Sequence, residues 1–447
     1  MVYTIMALLN SIGVSIIAFV FVLGVMIFVH ELGHYLVAKF LGIGVEVFSL
    51  GFGRRIIGFR KGDTDYRISL LPLGGYVKMA GENYDEELTG TSDEFLSRPK
   101  GHRFAVAVAG PAMNVALALI LVTLIFMLGV PVAKYLRQPA MIGGVQEGSP
   151  ADQVGLQLKD TIAAIDGEPT PTWQEVELRI GTSPNQRLVL SIEREGNLLT
   201  KEITTSVNER FEVGTIGVSP FIPYIIAEVE AGSPAAQAGL RPGDEIISVT
   251  RGDKTAFGFN ESAELIFSAE GLPLRFEVRR GKQVFEKTIA PVQMDDRWRI
   301  GTLVETAVQL EQYGLLGALE KSLQRNYRLT ALTFDVIGKI FTGRTSLRAM
   351  SGPIEIARFS GMAAAMGFVQ LLNFMALVSL NLGILNLMPI PILDGGVITL
   401  LGIEALIRRD LSMRVKERIF QVGFIFLILL MGIVIFNDLA KNLPILD

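Results

Sequence analysis

The 447-residue chain has no cysteine, three histidines and two tryptophans. Without cysteine there are no disulfides and no thiolate metal ligands, so any bound metal must be held by nitrogen and oxygen. Basic charge is missing from the start: no Lys or Arg precedes Lys39, so the N-terminus lacks the basic region of a cleavable secretory signal. Charge of either sign is missing from Ile12 to Val29, a run long enough to cross a bilayer. The net charge of −4 gives no footing for nucleic acid. Hydrophobic residues make up 50% of the chain and the mean hydropathy is +0.42, too apolar for an ordinary soluble protein. Yet 19% of residues are charged, too many for a chain wholly within a membrane. Membrane spans combined with a soluble part are expected.

The chain is organised around His30-Glu31-Leu32-Gly33-His34. On a helix, residues four apart share a face, so both imidazoles can point at one metal ion, zinc for preference. Glu31 is then placed as general base for a water molecule. The bland alternative is a chance match to a short pattern. Against it, two of the three histidines fall here, and burying them with a carboxylate in an apolar helix costs several kcal/mol unless something compensates. A metal is the simplest compensation, and ionisable groups at such a place are functional by default.

Four spans are expected, near Ile12–Leu36, Phe104–Val130, Met366–Met388 and Ile419–Phe436. After the first, Val45–Leu50 and Tyr66–Leu70 alternate like strands, punctuated by Gly51, Gly53, Gly74 and Gly75. Glu82 to Glu94 reads as a solvated acidic loop. In the second span, Ala109-Gly110-Pro111-Ala112-Met113-Asn114 reads as a small-residue packing surface, with Asn114 as interhelical glue. His102, outside it, reads as an interfacial residue. Residues 131–306 are β-rich and contain a repeat: Gly148-Ser149-Pro150-Ala151 through Asp160 is echoed by Gly232-Ser233-Pro234-Ala235 through Asp244. The period is too long for a solenoid, so two small domains are expected, 131–222 and 223–306; the first copy lacks the glycine that precedes Asp244 in the second. The repeated pattern resembles PDZ domains, which bind chain ends by adding a strand to a sheet edge. Within 307–365, Leu315–Ile340 carries Lys321, Arg325, Arg328 and Lys339 among apolar residues, as an amphipathic helix on a membrane surface does, and Ser351–Ile354 breaks it.

Arg408, Arg409, Arg414, Lys416 and Arg418 crowd the loop between spans three and four, which puts that loop on the cytoplasmic side. The N-terminus and the repeat then lie outside, and the halves 1–130 and 366–447 form the membrane part. His30 and His34 fall toward the cytoplasmic end of span one. Asp394, in Pro389-Ile390-Pro391-Ile392-Leu393-Asp394-Gly395-Gly396, falls at the same end of span three. An Asp-Gly pair is usually only a turn. Its match in depth to the histidines makes it the third ligand that a catalytic zinc needs.

Together these motifs resemble the site-2 proteases, intramembrane zinc metalloproteases, over essentially the whole chain. The fold so implied is a polytopic α-helical membrane protein with four transmembrane helices, a membrane-associated β-loop and two tandem PDZ domains. The resemblance implies His30, His34 and Asp394 as zinc ligands, Glu31 as the catalytic residue, and Asn381 and Asn386 as residues that hold substrate. It makes the segment around Gly51-Phe52-Gly53 a membrane-entering β-loop, with Tyr66, Ile68 and Leu70 on an edge strand offered to substrate. It implies as substrates single-span proteins already trimmed outside, such as an anti-sigma factor, or remnant signal peptides, acted on in the bilayer of the bacterial inner membrane. The outward PDZ pair would exclude untrimmed substrates by size. Two other classes are weaker. A non-catalytic PDZ scaffold has no need of Glu31. A metal transporter needs a polar path through several spans, which carry too few ionisable residues here.

Overall fold

The computed structural model describes residues 2–82, 89–208, 213–294, 297–305, 308–343 and 352–442. The chain divides into two compact units, one of residues 1–130, 312–342 and 350–447, the other chiefly of 131–311.

The first unit is helical. Its helices are α1 (Val2–Phe40), α2 (Lys100–Leu128), α3 (Leu315–Phe341), α4 (Pro353–Met366), α5 (Phe368–Asn386), α6 (Asp394–Leu406) and α7 (Met413–Asn442). Four of them, α1, α2, α5 and α7, are long and apolar enough to cross a membrane. Val22 and Met26 of α1, Val122 and Ile125 of α2, Ala318 of α3 and Met375 of α5 share one buried cluster. α1 and α2 touch backbone to backbone: a Cβ on Gly33 would fall 2.4 Å from the Ala109 carbonyl oxygen. Close approach of this kind is what small residues between apolar helices permit. Gly367, at φ +114, breaks the chain between α4 and α5, so the residues before span three form a separate helix, started by Pro353 at its first turn.

Helix α3 covers the segment expected to be amphipathic. Its polar residues bond along the apolar helices: Ser322 Oγ donates to the Leu119 carbonyl at 2.9 Å, Arg325 Nη1 to Asn373 Oδ1 at 2.9 Å, and Thr333 Oγ1 to Asn381 Oδ1 at 3.0 Å. Of the four basic residues behind that expectation, Arg325 reaches α5, while Lys321 bonds Gln324 and Lys339 pairs with Asp335 along α3 itself. Glu94 is no solvated loop residue. It is buried and accepts from the Thr89 and Gly90 amides and the Thr89 and Ser97 hydroxyls; residues 83–88 of that loop lie outside the described residues.

The β segment between α1 and α2 forms one small sheet. Val45–Leu50 pairs with Gly75–Met79 on one side and with residues 65–68 on the other, and 55–61 pairs with 64–69. The expectation of an edge position is therefore corrected for Tyr66 and Ile68; Leu70 has no partner in the register. Tyr66 and Ile68 have strand neighbours on both sides, Phe48 and Leu50 on one and Phe59 and Ile57 on the other. Alternation read from sequence reports faces, not position in the sheet. The outer runs are 55–61 and 75–79.

The second unit holds two sheets of one strand order. The first runs 218–220, 140–145, 161–165, 187–194, 197–204; the second runs 302–304, 224–229, 245–251, 274–280, 283–289. Equivalent residues do equivalent work. Ser149 and Ser233 each cap a short helix by accepting from the third residue on. Asp160 and Asp244 are buried, and each takes a two-pronged ion pair, from Arg194 and Arg280, with both contacts at 2.7 Å. The glycine missing from the first copy is replaced by Lys159 in the same left-handed conformation, φ +67 against +86 for Gly243. Removing one partner of such a pair strands a buried charge. Arg280→Ala should destabilise the second sheet, because it leaves the buried Asp244 carboxylate without its guanidinium partner. Chemical denaturation of the full chain checks this, and a change below about 1 kcal/mol would rank the pair with ordinary surface ion pairs.

Candidate metal centre

α1 carries His30, Glu31 and His34 on consecutive turns. α6 begins at Asp394, delivered by a tight loop from the end of α5. Ile392 in that loop sits at φ +85, an outlier for a β-branched residue and so a strained turn. A Cβ on Gly395 would lie 2.1 Å from the Met388 carbonyl oxygen, and one on Gly396 2.5 Å from that of Ile390. The two glycines let the loop fold back on the start of α6, which aims Asp394 at the histidines.

His30 Nε2 lies 3.2 Å from His34 Nε2 and 3.2 Å from Asp394 Oδ2; His34 Nε2 lies 3.4 Å from Asp394 Oδ1. Among the described residues this is the one group of three or more potential ligands whose donor atoms lie close enough to hold a metal ion. Nitrogen and oxygen ligands about 2.0–2.1 Å from a tetrahedral zinc lie roughly 3.3–3.4 Å from each other, so the three donors have the spacing of one coordination shell. The second nitrogen of His34 fits too: Nδ1 donates to the Val106 carbonyl at 2.8 Å, which leaves Nε2 with its lone pair toward the other donors. Gly110 completes the cradle. A Cβ there would fall 2.2 Å from His34 Nε2 and 2.8 Å from His30 Cε1.

Glu31 faces the sheet, beside the outer run 75–79. A Cβ on Gly75 would come 3.3 Å from its Cγ. Of the other residues singled out in the sequence, Asn386 joins the site, with Nδ2 3.5 Å from His30 Nδ1 and 3.4 Å from Nε2. Asn381 does not, its Oδ1 being engaged by Thr333. Tyr66 shares a 2.6 Å hydrogen bond with Tyr35 and stacks on Phe59, while Ile68 and Leu70 are exposed. Sequence reading missed Val106 and Gly110 as parts of the site and placed Asn114 in packing alone. Their spacing of four on α2 mirrors the spacing of the histidines on α1, and that was the available signal.

The sequence pattern of peptidase family M50 matches residues 18–430. The chain belongs to peptidase family M50, the site-2 protease family. This M50 chain is 34% identical over 454 residues to a regulator of sigma E protease from Salmonella typhi, covering 96% of this chain and 98% of the relative. It is 32% identical over 449 residues to the regulator of sigma-E protease RseP of Escherichia coli, covering 95% and 98%. A relative from Pasteurella multocida named for zinc metalloprotease activity is 33% identical over 449 residues, covering 96% and 99%. Membership makes this chain a metalloprotease of the intramembrane kind.

Proposed function

We propose that this M50 chain is a zinc endopeptidase that cuts the membrane-spanning segment of single-span proteins already trimmed on the outer side, an anti-sigma factor type of substrate in envelope signalling, and also remnant signal peptides. The observation that carries the reading is the mutual spacing of His30 Nε2, His34 Nε2 and the Asp394 carboxylate, that of three ligands on one tetrahedral centre. These three residues hold the metal and Glu31 acts as general base. Zinc held by His30, His34 and Asp394 would supply Lewis acidity and a lowered pKa for water. Glu31 takes the proton from that water and returns it to the leaving amine. Asn386, within reach of the ligands, donates to the oxygen that gains charge. A spanning helix hides its peptide bonds, so it must unwind before attack. The outer run 75–79, beside Glu31, takes the role first given to Tyr66–Leu70: backbone pairing with the unwound segment.

The basic residues between spans three and four, Arg408 and Arg409 before α7 and Arg414, Lys416 and Arg418 in its first turns, support an inner-membrane placement with the N-terminus and the two β sheets in the periplasm, where a PDZ pair filters substrates by size. The test uses detergent-purified full chain, its zinc content and cleavage of a trimmed single-span substrate. Glu31→Gln should keep zinc and lose about 10²–10⁴-fold in rate. Wild-type protein that binds no zinc, or Glu31→Gln that cleaves at the wild-type rate, would refute the reading.

A further inference from the structure

His30 presents Nε2 to the other two donors, and a neutral imidazole with a bare Nε2 carries its proton on Nδ1. That Nδ1–H is inside the protein and needs an acceptor. For His34 the acceptor is the Val106 carbonyl. For His30 the neighbour two turns further along α2 is Asn114, fully buried, with its amide nitrogen 3.2 Å from Nδ1. Two donors would then face each other. Meanwhile Asn114 Oδ1 is buried and has no hydrogen-bond partner. Both conflicts end with a half-turn of one side-chain amide, since the oxygen and nitrogen of an asparagine are assigned from their network. The backbone carbonyl of Asn114 is engaged by Ser379 Oγ at 2.8 Å, which leaves the side-chain oxygen as the acceptor without a partner.

We infer that Asn114 is a positioning residue for His30, its side-chain oxygen accepting the Nδ1–H and so fixing the tautomer that leaves Nε2 free for the metal. This rests on the zinc reading above. α2 is then a template for the metal pair. Antiparallel to α1, it sets Val106 opposite His34, Gly110 between the rings and Asn114 opposite His30, one residue per turn on a single face. Interhelical glue alone gives no reason for the contact to be with a ring nitrogen of a metal-ligand candidate. The role calls for an acceptor at this position and nothing larger.

Competition with a zinc chelator, on detergent-purified full-length protein, reads the effect without recourse to activity. Asn114→Leu, which removes the acceptor, should weaken zinc binding by about 10–100-fold. Asn114→Asp, which keeps an acceptor of the same shape, should stay within about threefold of wild type and keep the wild-type cobalt absorption spectrum. Thermal unfolding of metal-free protein reports any packing cost separately. Should Asn114→Leu fail to fold, Asn114→Ala, which adds no bulk, carries the same expectation. Wild-type zinc affinity in Asn114→Leu or Asn114→Ala, or an equal loss in Asn114→Asp, would overturn the assignment. Wild-type protein that holds no zinc would overturn it together with the zinc reading, which separates the two failures.

Discussion

Gly110→Ala should empty the metal site and abolish cleavage in one step. The added methyl would lie 2.2 Å from His34 Nε2, 2.6 Å from its Cε1 and 2.8 Å from His30 Cε1, all inside contact distance. Something must shift, and the neighbours have little room to give. The His34 ring is pinned by the Val106 carbonyl, and α2 is already in backbone contact with α1 at Gly33 and Ala109. Parting the helices or turning a ring moves a ligand by about an ångström, far outside the tolerance of a coordination shell, about 0.2 Å. Zinc affinity should fall by more than about 10³-fold, beyond the effect of removing a supporting hydrogen bond. Gly24→Ala is the control. A Cβ there meets nothing within 4 Å, so it should leave zinc and activity intact and stabilise α1 by up to about 1 kcal/mol. Zinc stoichiometry measured beside cleavage decides the matter, and a Gly110→Ala protein with a full complement of zinc would show that the helices part without disturbing the ligands.

That glycine also marks the limit of what the sequence discloses. The histidine pair announces itself through a spacing of four, and Asp394 through an argument about depth that needs only span count and the sign of loop charges. Both lead to the three side chains that the structure brings together, since few topologies are open to a chain of apolar spans. The duplication in 131–306 was legible because its turns and buried aspartates recur in the same residue types. Val106, Gly110 and Asn114 were harder. A carbonyl has no letter, a glycine among small residues looks like helix packing, and an asparagine in a span has a good packing explanation. Their roles become visible only when α1 and α2 are set antiparallel. On α3 the basic residues give an amphipathic pattern, but periodicity does not say which polar groups find partners within the protein, as Ser322, Arg325 and Thr333 do on α2 and α5. Tyr66–Leu70 was read as an edge because two strands were visible, whereas the long strands fold back and make four runs.

A second large effect is expected far from the metal, at Asp438. This aspartate of α7 is fully buried, and its two carboxylate oxygens accept from the backbone amides of Gly352, Ile354 and Glu355 at 3.0, 3.1 and 3.1 Å. Those amides open α4, where a helix leaves its first N–H groups without internal partners and favours a negative charge. Asp438 is therefore the N-terminal cap of α4, supplied by another helix. Asp438→Ala strands two buried donors and a partly buried one and should cost about 3 kcal/mol, each unpaired buried group contributing at least about 1 kcal/mol. Asp438→Asn keeps one acceptor oxygen and should lose less. The loss bears on the metal centre through packing, because α4 also rests on α1, where a Cβ on Gly361 would fall 2.0 Å from Ser15 Oγ. Zinc affinity should nevertheless stay near wild type in the folded fraction, since none of the three ligands touches this cap. Thermal unfolding alongside chelator competition separates the two readouts. Unchanged stability in Asp438→Ala would mean that water or lipid head groups satisfy the α4 amides as well as the carboxylate does.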